Sequence, residues 1–123
     1  MRFARGVFRL AAAYGFLVML PQYFMEQQIG RDHPPPITHP EYFYGFVGVV
    51  LAWQAAFLVI SSDPVRFRPL MIPAVLEKAT FGIAVVLLFF QSRVSGMLLG
   101  FGALDLLLGA LFFFAWLRLR RLR

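Results

Sequence analysis

Four long runs of apolar residues constrain the fold of this chain more than any other feature of its sequence. A helix needs about 20 predominantly apolar residues to cross the hydrocarbon core of a bilayer, and each run approaches or exceeds that length. The runs lack the apolar–polar alternation of half-buried strands. The sequence therefore predicts an all-α membrane protein, a four-helix transmembrane bundle in one domain of residues 1–123. The runs cover residues 10–25, 42–60, 70–90 and 94–117.

The composition indicates lipid as the surrounding medium. Hydrophobic residues make up 60% of the chain, including 15 Phe, and a soluble domain of this size could not bury so much apolar surface. The net charge of +6 does not indicate nucleic acid as a partner, because the arginines flank the apolar runs and form no stripe. Cysteine is absent from the sequence, which excludes disulfides, thiolate metal sites and cysteine nucleophiles.

The arginines predict how the bundle is oriented. Three basic regions share one side of a four-span protein. They are the N-terminus, the connection between the second and third runs, and the C-terminus. That side has nine arginines, whereas the other has Arg31 and Arg93. The positive-inside rule then places both termini in the cytoplasm, in the inner membrane, and the Pro-rich loop 26–41 outside. No small-residue cleavage site follows the first run, so we expect it to be retained as an anchor. The nine are Arg2, Arg5, Arg9, Arg66, Arg68, Arg118, Arg120, Arg121 and Arg123.

Two carboxylates interrupt the apolar runs. Glu77 lies ~10 Å and Asp105 ~18 Å from the basic end of their runs, at about 1.5 Å per residue. Gln54 and Tyr14 lie at depths similar to that of Glu77. Lys78 points about 100° away from Glu77 around the helix and is expected to extend to the cytoplasmic surface. We therefore expect both carboxyls to be neutral and to donate hydrogen bonds to Gln54, Tyr14 or a backbone carbonyl.

Three roles for these polar groups stay open. They form a neutral clamp that holds the four helices together, a site for a lipophilic or quinone-like ligand, or a proton-transfer site. The clamp is the interpretation that the sequence favours. Thr80 lies on the same helical stripe as Glu77 and joins the set. The candidate residues are Glu77, Asp105, Gln54, Tyr14 and Thr80.

Glycines mark two faces of the fourth run. Gly102 and Gly109 share a face with Asp105, while Gly96 and Gly100 form a GxxxG on another. Small residues let helices approach closely in lipid, where packing drives association. We expect one face to pack inside the bundle and the other against a membrane-protein partner or a second copy of the chain.

The loop before the second run contains both histidines. His33, His39 and Glu41 offer ligands that zinc or another transition metal accepts, but their spacing matches no zinc template. The favoured interpretation is that Glu41 lies in the first turn of the second helix, where the helix dipole stabilises it. Metal binding, and sensing of external pH through histidine, remain alternatives.

The stretches "PAVLEKATFG" and "GALDLLLGALF" place one acidic residue near the start of the third run and one within the glycine-rich fourth run. With four spans, this layout resembles the DoxX-like superfamily of small bacterial four-helix membrane proteins. The resemblance covers nearly the whole chain at the level of architecture. It implies an accessory or subunit role in a respiratory quinol-oxidising or redox-linked membrane complex.

The sequence shows no Gly-rich phosphate loop, Ser-His-Asp arrangement or HExxH motif, so we predict no catalytic residues and no cofactor of the chain's own. A non-catalytic accessory or assembly subunit, or a small homo-oligomer, is the leading prediction. A binding or transport protein for a lipophilic small molecule such as a quinone is the second. A redox enzyme component whose cofactor a partner supplies is the third.

Overall fold

The computed structural model describes residues 1–120, and within that range the chain is helical with no strand. A 3-10 segment, Leu20–Phe24, continues the first helix, and another, Arg68–Leu70, precedes the fourth. The α-helices are α1 (Arg2–Met19), α2 (Glu26–Asp32), α3 (Pro40–Ser62), α4 (Met71–Phe90) and α5 (Gly96–Arg120).

Four of the helical segments are long and apolar enough to span a membrane, which confirms the predicted all-α architecture. Three of them have 23 residues and the fourth has 25, counting the 3-10 segments that extend α1 and α4. At about 1.5 Å per residue, 23 residues measure ~35 Å, more than the ~30 Å hydrocarbon core. The first helix begins at Arg2, well before the apolar run at 10–25, because arginine is a good helix former and extends the helix beyond the apolar residues.

The connection before α3 contains more structure than the sequence indicated. Residues 26–41 were expected to be a Pro-rich loop, but their first seven residues form α2. This short helix ends at Asp32, two residues before Pro34, since a proline disfavours helical backbone in the residue before it. The Tyr44 hydroxyl donates a hydrogen bond of 2.8 Å to Glu26 Oε2 and so ties α2 to α3.

The three basic regions meet at one end of the bundle. Arg68 Nε donates a hydrogen bond of 3.0 Å to the carbonyl oxygen of Trp116, which joins the α3–α4 connection to the end of α5. The rings of Phe3 and Phe114 lie 5.4 Å apart, edge to face, and the Arg118 guanidinium lies 5.4 Å from the Phe3 ring. Arg121 and Arg123, which contribute to the predicted charge asymmetry, lie outside the described residues.

An aromatic core holds α1, α3 and α5 together in the half of the bundle nearest the termini. The Phe8 and Phe112 rings stack with centroids 4.1 Å apart, and Phe57 meets Phe112 edge to face at 5.0 Å. All three side chains are fully buried. Such ring pairs contribute about 0.5–1.5 kcal/mol beyond the area they bury. Around this core, α1 packs mainly on α3, and α4 on α5.

The outer faces of the long helices remain apolar. Leu17 is 77% exposed, and large side chains on the other spans, such as Leu76 and Leu107, are more than half exposed. Soluble monomers rarely expose apolar surface on this scale, whereas lipid tails cover it without cost. The architecture is therefore that of a multi-pass membrane protein.

Candidate functional site

Three charged side chains meet between α4 and α5, inside the spanning part of the bundle. Lys78 Nζ lies 3.4 Å from Asp105 Oδ1 and 3.7 Å from Glu77 Oε2. The side chains of Lys78, Glu77 and Asp105 are 3%, 13% and 12% exposed. These three residues are called the polar cluster below.

Glycine on α5 makes room for the lysine. A Cβ atom at Gly109 would lie 3.2 Å from Lys78 Cβ, so the lysine stem packs against bare α5 backbone. Asp105 precedes Gly109 by four residues, which places its carboxylate one turn away on the same face of α5. The lysine ammonium also lies 5.4 Å from the centre of the Phe57 ring, within the range of a cation–π contact.

The structure overturns the expected environment of the two carboxylates. Lys78 was expected to extend to the cytoplasmic surface and to leave Glu77 and Asp105 without a cation, but it is buried and contacts both. That expectation was wrong because helical angle describes the Cα–Cβ direction, while the four-carbon lysine stem can bend back toward a neighbour. The Asp105–Gly109 spacing opposite Lys78 is the sequence signal that could have revealed the pair.

Gln54 lies where α3 packs closely against Gly15 of α1. The side chain is fully buried, and its Nε2 donates a 2.8 Å hydrogen bond to the carbonyl of Val50 within α3. Its Oε1 has no hydrogen-bond partner among residues 1–120. Gly15 of α1 lies so close that a Cβ there would overlap the Gln54 amide. Tyr14, beside Gly15, is partly buried and packs against the aromatic core.

A shallow groove runs between α3 and α4 on the outer side of Glu77. Its volume is about 330 Å³, and its walls are apolar except for Glu77 and Thr80. The Phe46 and Phe81 rings, 6.1 Å apart, connect its two walls. Thr80 directs its hydroxyl to the carbonyl of Leu76 at 2.7 Å. This α3–α4 groove is lined by Phe46, Val49, Val50, Trp53, Glu77, Thr80 and Phe81.

One oxygen of Glu77 is buried without a hydrogen bond. Glu77 Oε2 has no hydrogen-bond partner among the described residues, and its ion pair with Lys78 Nζ is longer than a hydrogen bond at 3.7 Å. Buried carboxylate oxygens are normally satisfied, since leaving one without a partner costs about 1–3 kcal/mol or more. The arrangement can hold an apolar molecule in the groove with a polar group against Glu77.

The two glycine faces of α5 have different surroundings. Gly102 faces α4, where an added Cβ would lie 2.8 Å from a Val85 methyl carbon, and Gly109 faces Lys78. At Gly96 and Gly100 an added Cβ would meet nothing within 4 Å. The structure therefore places the first pair between α4 and α5 and leaves the second pair open on the outer surface.

The histidines lie apart from the polar cluster, in the connection before α3. His39 Nδ1 lies 3.3 Å from Glu41 Oε1, and both side chains are about two-thirds exposed. Glu41 occupies the first turn of α3. Over residues 1–120, no three potential ligands of the His, Cys, Asp and Glu types come together as a metal site would require. His33 directly follows α2.

Comparison with known proteins gives no relative from which a role could be transferred. No protein-family model, no curated protein and no solved structure matches the chain. The polar cluster and the α3–α4 groove therefore carry the functional inference.

Proposed function

We propose that this chain is a multi-pass protein of the cytoplasmic membrane that binds a lipophilic small molecule in the α3–α4 groove. One observation carries the proposal: the buried Oε2 atom of Glu77 lacks a hydrogen-bond partner in the described chain and belongs to a side chain that lines the groove. Ligand sites are typically apolar cavities with a few polar groups that orient the ligand. Glu77 is the polar anchor in this proposal.

The form of the groove suits a ligand that arrives from the lipid. Its volume of about 330 Å³ lies at the small end of the range for ligand pockets, roughly 300–1,000 Å³. Phe46 and Thr80 are exposed at the outer surface of the bundle, so a molecule can enter sideways without crossing the core. Trp53 and Phe81 offer flat apolar surfaces on opposite walls.

The test is retention of small molecules by purified protein. Wild-type, Glu77→Gln and Asp105→Asn proteins are extracted in mild detergent, and the organic extract of each is compared by mass spectrometry. We expect a compound that accompanies the wild type and is depleted in Glu77→Gln. Glu41→Gln, a carboxylate change outside the groove, is the matched control and should retain it. Full retention by both Glu77→Gln and Asp105→Asn contradicts the proposal.

A second candidate function, an accessory subunit of a membrane complex, is favoured by the open glycine face of α5. Gly96 and Gly100 are spaced by one helical turn and have no neighbour within 4 Å of an added Cβ. A partner helix can approach closely on such a face. The resemblance to the DoxX-like superfamily supports a redox-linked or quinone-linked complex as the assembly. Loss of co-purifying subunits in Gly100→Leu, with monomer stability unchanged, is the result that this candidate predicts.

A further inference from the structure

The polar cluster contains more acidic groups than basic ones. Glu77 and Asp105 share the single ammonium of Lys78, so the cluster has a formal charge of −1 when both carboxylates are ionised. Lys78 Nζ is closer to Asp105 and donates its hydrogen bond there. Every other basic residue among residues 1–120 lies outside the four apolar runs. With both carboxylates ionised, the surplus negative charge therefore falls on Glu77, beside the groove.

A surplus charge inside a membrane protein needs a counter-charge. Charged groups within spanning segments are costly and pair with one another or face a cavity. Lys78 cannot fully neutralise two carboxylates, and the groove walls have no basic side chain: Glu77 is their one ionisable group. A ligand that brings its own positive charge supplies what the protein lacks at this point.

The aromatic walls of the groove suit the same type of ligand. Trp53 and Phe46 on α3 and Phe81 on α4 line the groove together with Glu77. Ring faces attract organic cations, with Trp the strongest of the aromatic residues, and desolvated contacts are stronger than exposed ones. An apolar body that carries a cation can contact these rings while its charge lies near the Glu77 carboxylate.

Resting on the proposed function, we infer that the ligand class of the α3–α4 groove is the lipophilic organic cation: an ammonium, amidinium or phosphonium group on an apolar body. A quinone fits less well, because its carbonyl oxygens accept hydrogen bonds and would face another acceptor at Glu77. An anionic amphiphile such as a fatty acid is repelled by the surplus charge. A neutral alcohol satisfies the hydrogen bond of Glu77 but leaves the charge uncompensated.

Three probes of similar shape and different charge test the inference. Equilibrium dialysis measures binding of tetraphenylphosphonium, tetraphenylborate and neutral triphenylphosphine oxide to the protein in phosphatidylcholine nanodiscs, with empty nanodiscs subtracted. We expect saturable binding of the phosphonium and none of the borate. Glu77→Gln should weaken phosphonium binding roughly 30-fold or more, as loss of a buried charge partner does. Glu77→Asp keeps the charge and should retain most of the phosphonium binding. Glu41→Gln should leave phosphonium binding unchanged.

The outcomes separate this inference from the proposed function. The cation inference is overturned if the neutral oxide binds as tightly as the phosphonium, with or without equal binding of the borate. If Glu77→Gln then abolishes binding of these probes, the groove remains a ligand site and the proposed function stands. Absence of saturable phosphonium binding also overturns the inference. If no small molecule co-purifies either, the proposed function fails with it. Should Glu77→Gln not fold, Trp53→Leu replaces it, and unchanged phosphonium affinity in that variant counts against the site.

Discussion

At the scale of single residues, Lys78 is the side chain on which the polar cluster depends. It is 3% exposed and lies within 4 Å of both carboxylates. Removing one partner of a buried ion pair leaves an uncompensated charge and typically costs about 3–5 kcal/mol. We expect Lys78→Met to lower the free energy of unfolding by about that amount, measured by circular dichroism during titration with a denaturing detergent.

A double variant provides the control for this prediction. Lys78→Met combined with Asp105→Leu replaces the closer pair by apolar side chains, a change that is often neutral for a buried pair. The double variant should therefore regain part of the lost stability, and the remainder reflects Glu77, which still lacks its cation. A single Lys78→Met variant as stable as the wild type would show that the ammonium is not engaged with the carboxylates.

A second prediction concerns the contact between Gly15 and Gln54. An added Cβ at Gly15 would overlap the Gln54 amide, so Gly15→Ala must displace the buried Gln54 side chain and disturb its hydrogen bond to Val50. Overpacking of this kind costs about 1–3 kcal/mol. Gly45→Ala is the matched control on α3, since a Cβ there meets nothing within 4 Å. Equal thermal stability of the two variants in detergent would contradict the close contact between Gly15 and the Gln54 side chain.

The polar residues of the spans can be located in the sequence, but their partners cannot. Glu77 and Asp105 stand out because carboxylates are rare in apolar runs. The Cα–Cβ direction of Lys78 differs from that of Glu77, but the length of the lysine stem decides what its ammonium reaches. The sequence gives the depth of Gln54 but not its hydrogen-bond partner, which is the Val50 carbonyl of its own helix. Depth along a helix can be counted in the sequence, but contact across helices cannot.

At the scale of helices, α4 and α5 approach each other through glycine. Gly102 lies against Val85, and at Gly82 an added Cβ would lie 2.9 Å from the Gly102 carbonyl oxygen. We expect Gly102→Val to separate the two helices and lower the midpoint of thermal unfolding, measured in detergent. Gly100→Val, two residues earlier on the open face, should leave the midpoint nearly unchanged. If the face of α5 that contains Gly100 packed inside the bundle instead, Gly100→Val would lower the unfolding midpoint more than Gly102→Val.

A compensating change tests the same interface more closely. Val85→Ala removes two methyl groups from the position that a Gly102 side chain would occupy. In the double variant with Gly102→Val, this substitution should recover part of the decrease in the unfolding midpoint, because contacting residues have non-additive effects. Strict additivity of the two substitutions would mean that Gly102 and Val85 are not in contact.

The long helices could be predicted because length and hydropathy determine a membrane span. The short helix α2 was missed, since its sequence "EQQIGRD" has seven residues and no apolar periodicity. Which face of each span points inward was also hard to determine. Leu17 is exposed while Ala11 and Ala12 are buried, so the more apolar residue faces lipid. In lipid, the side chains that pack between helices are those whose size and shape fit. In water, the most hydrophobic side chains would be buried.

At the scale of the whole molecule, the charge asymmetry predicts how the chain is oriented in the membrane. Because the sequence contains no cysteine, a single introduced cysteine can be labelled to test this orientation. Two exposed serines lie at opposite ends of the bundle and can each be replaced by a single cysteine. Ser62 lies at the basic end of α3, and Ser95 lies in the turn before α5. We expect a membrane-impermeant maleimide to label Ser95→Cys but not Ser62→Cys in intact spheroplasts. Labelling of both variants after membrane permeabilisation is the control, and the reverse pattern contradicts cytoplasmic termini.

A native mass spectrum of the wild-type protein, extracted from its own membrane in mild detergent, shows whether the chain holds a ligand. We expect the chain with a bound small molecule of about drug size, a few hundred daltons. The same adduct should be absent or depleted in Glu77→Gln. A chain that appears only with larger protein subunits, and without any small-molecule adduct, would contradict ligand binding in the α3–α4 groove and favour the accessory-subunit candidate.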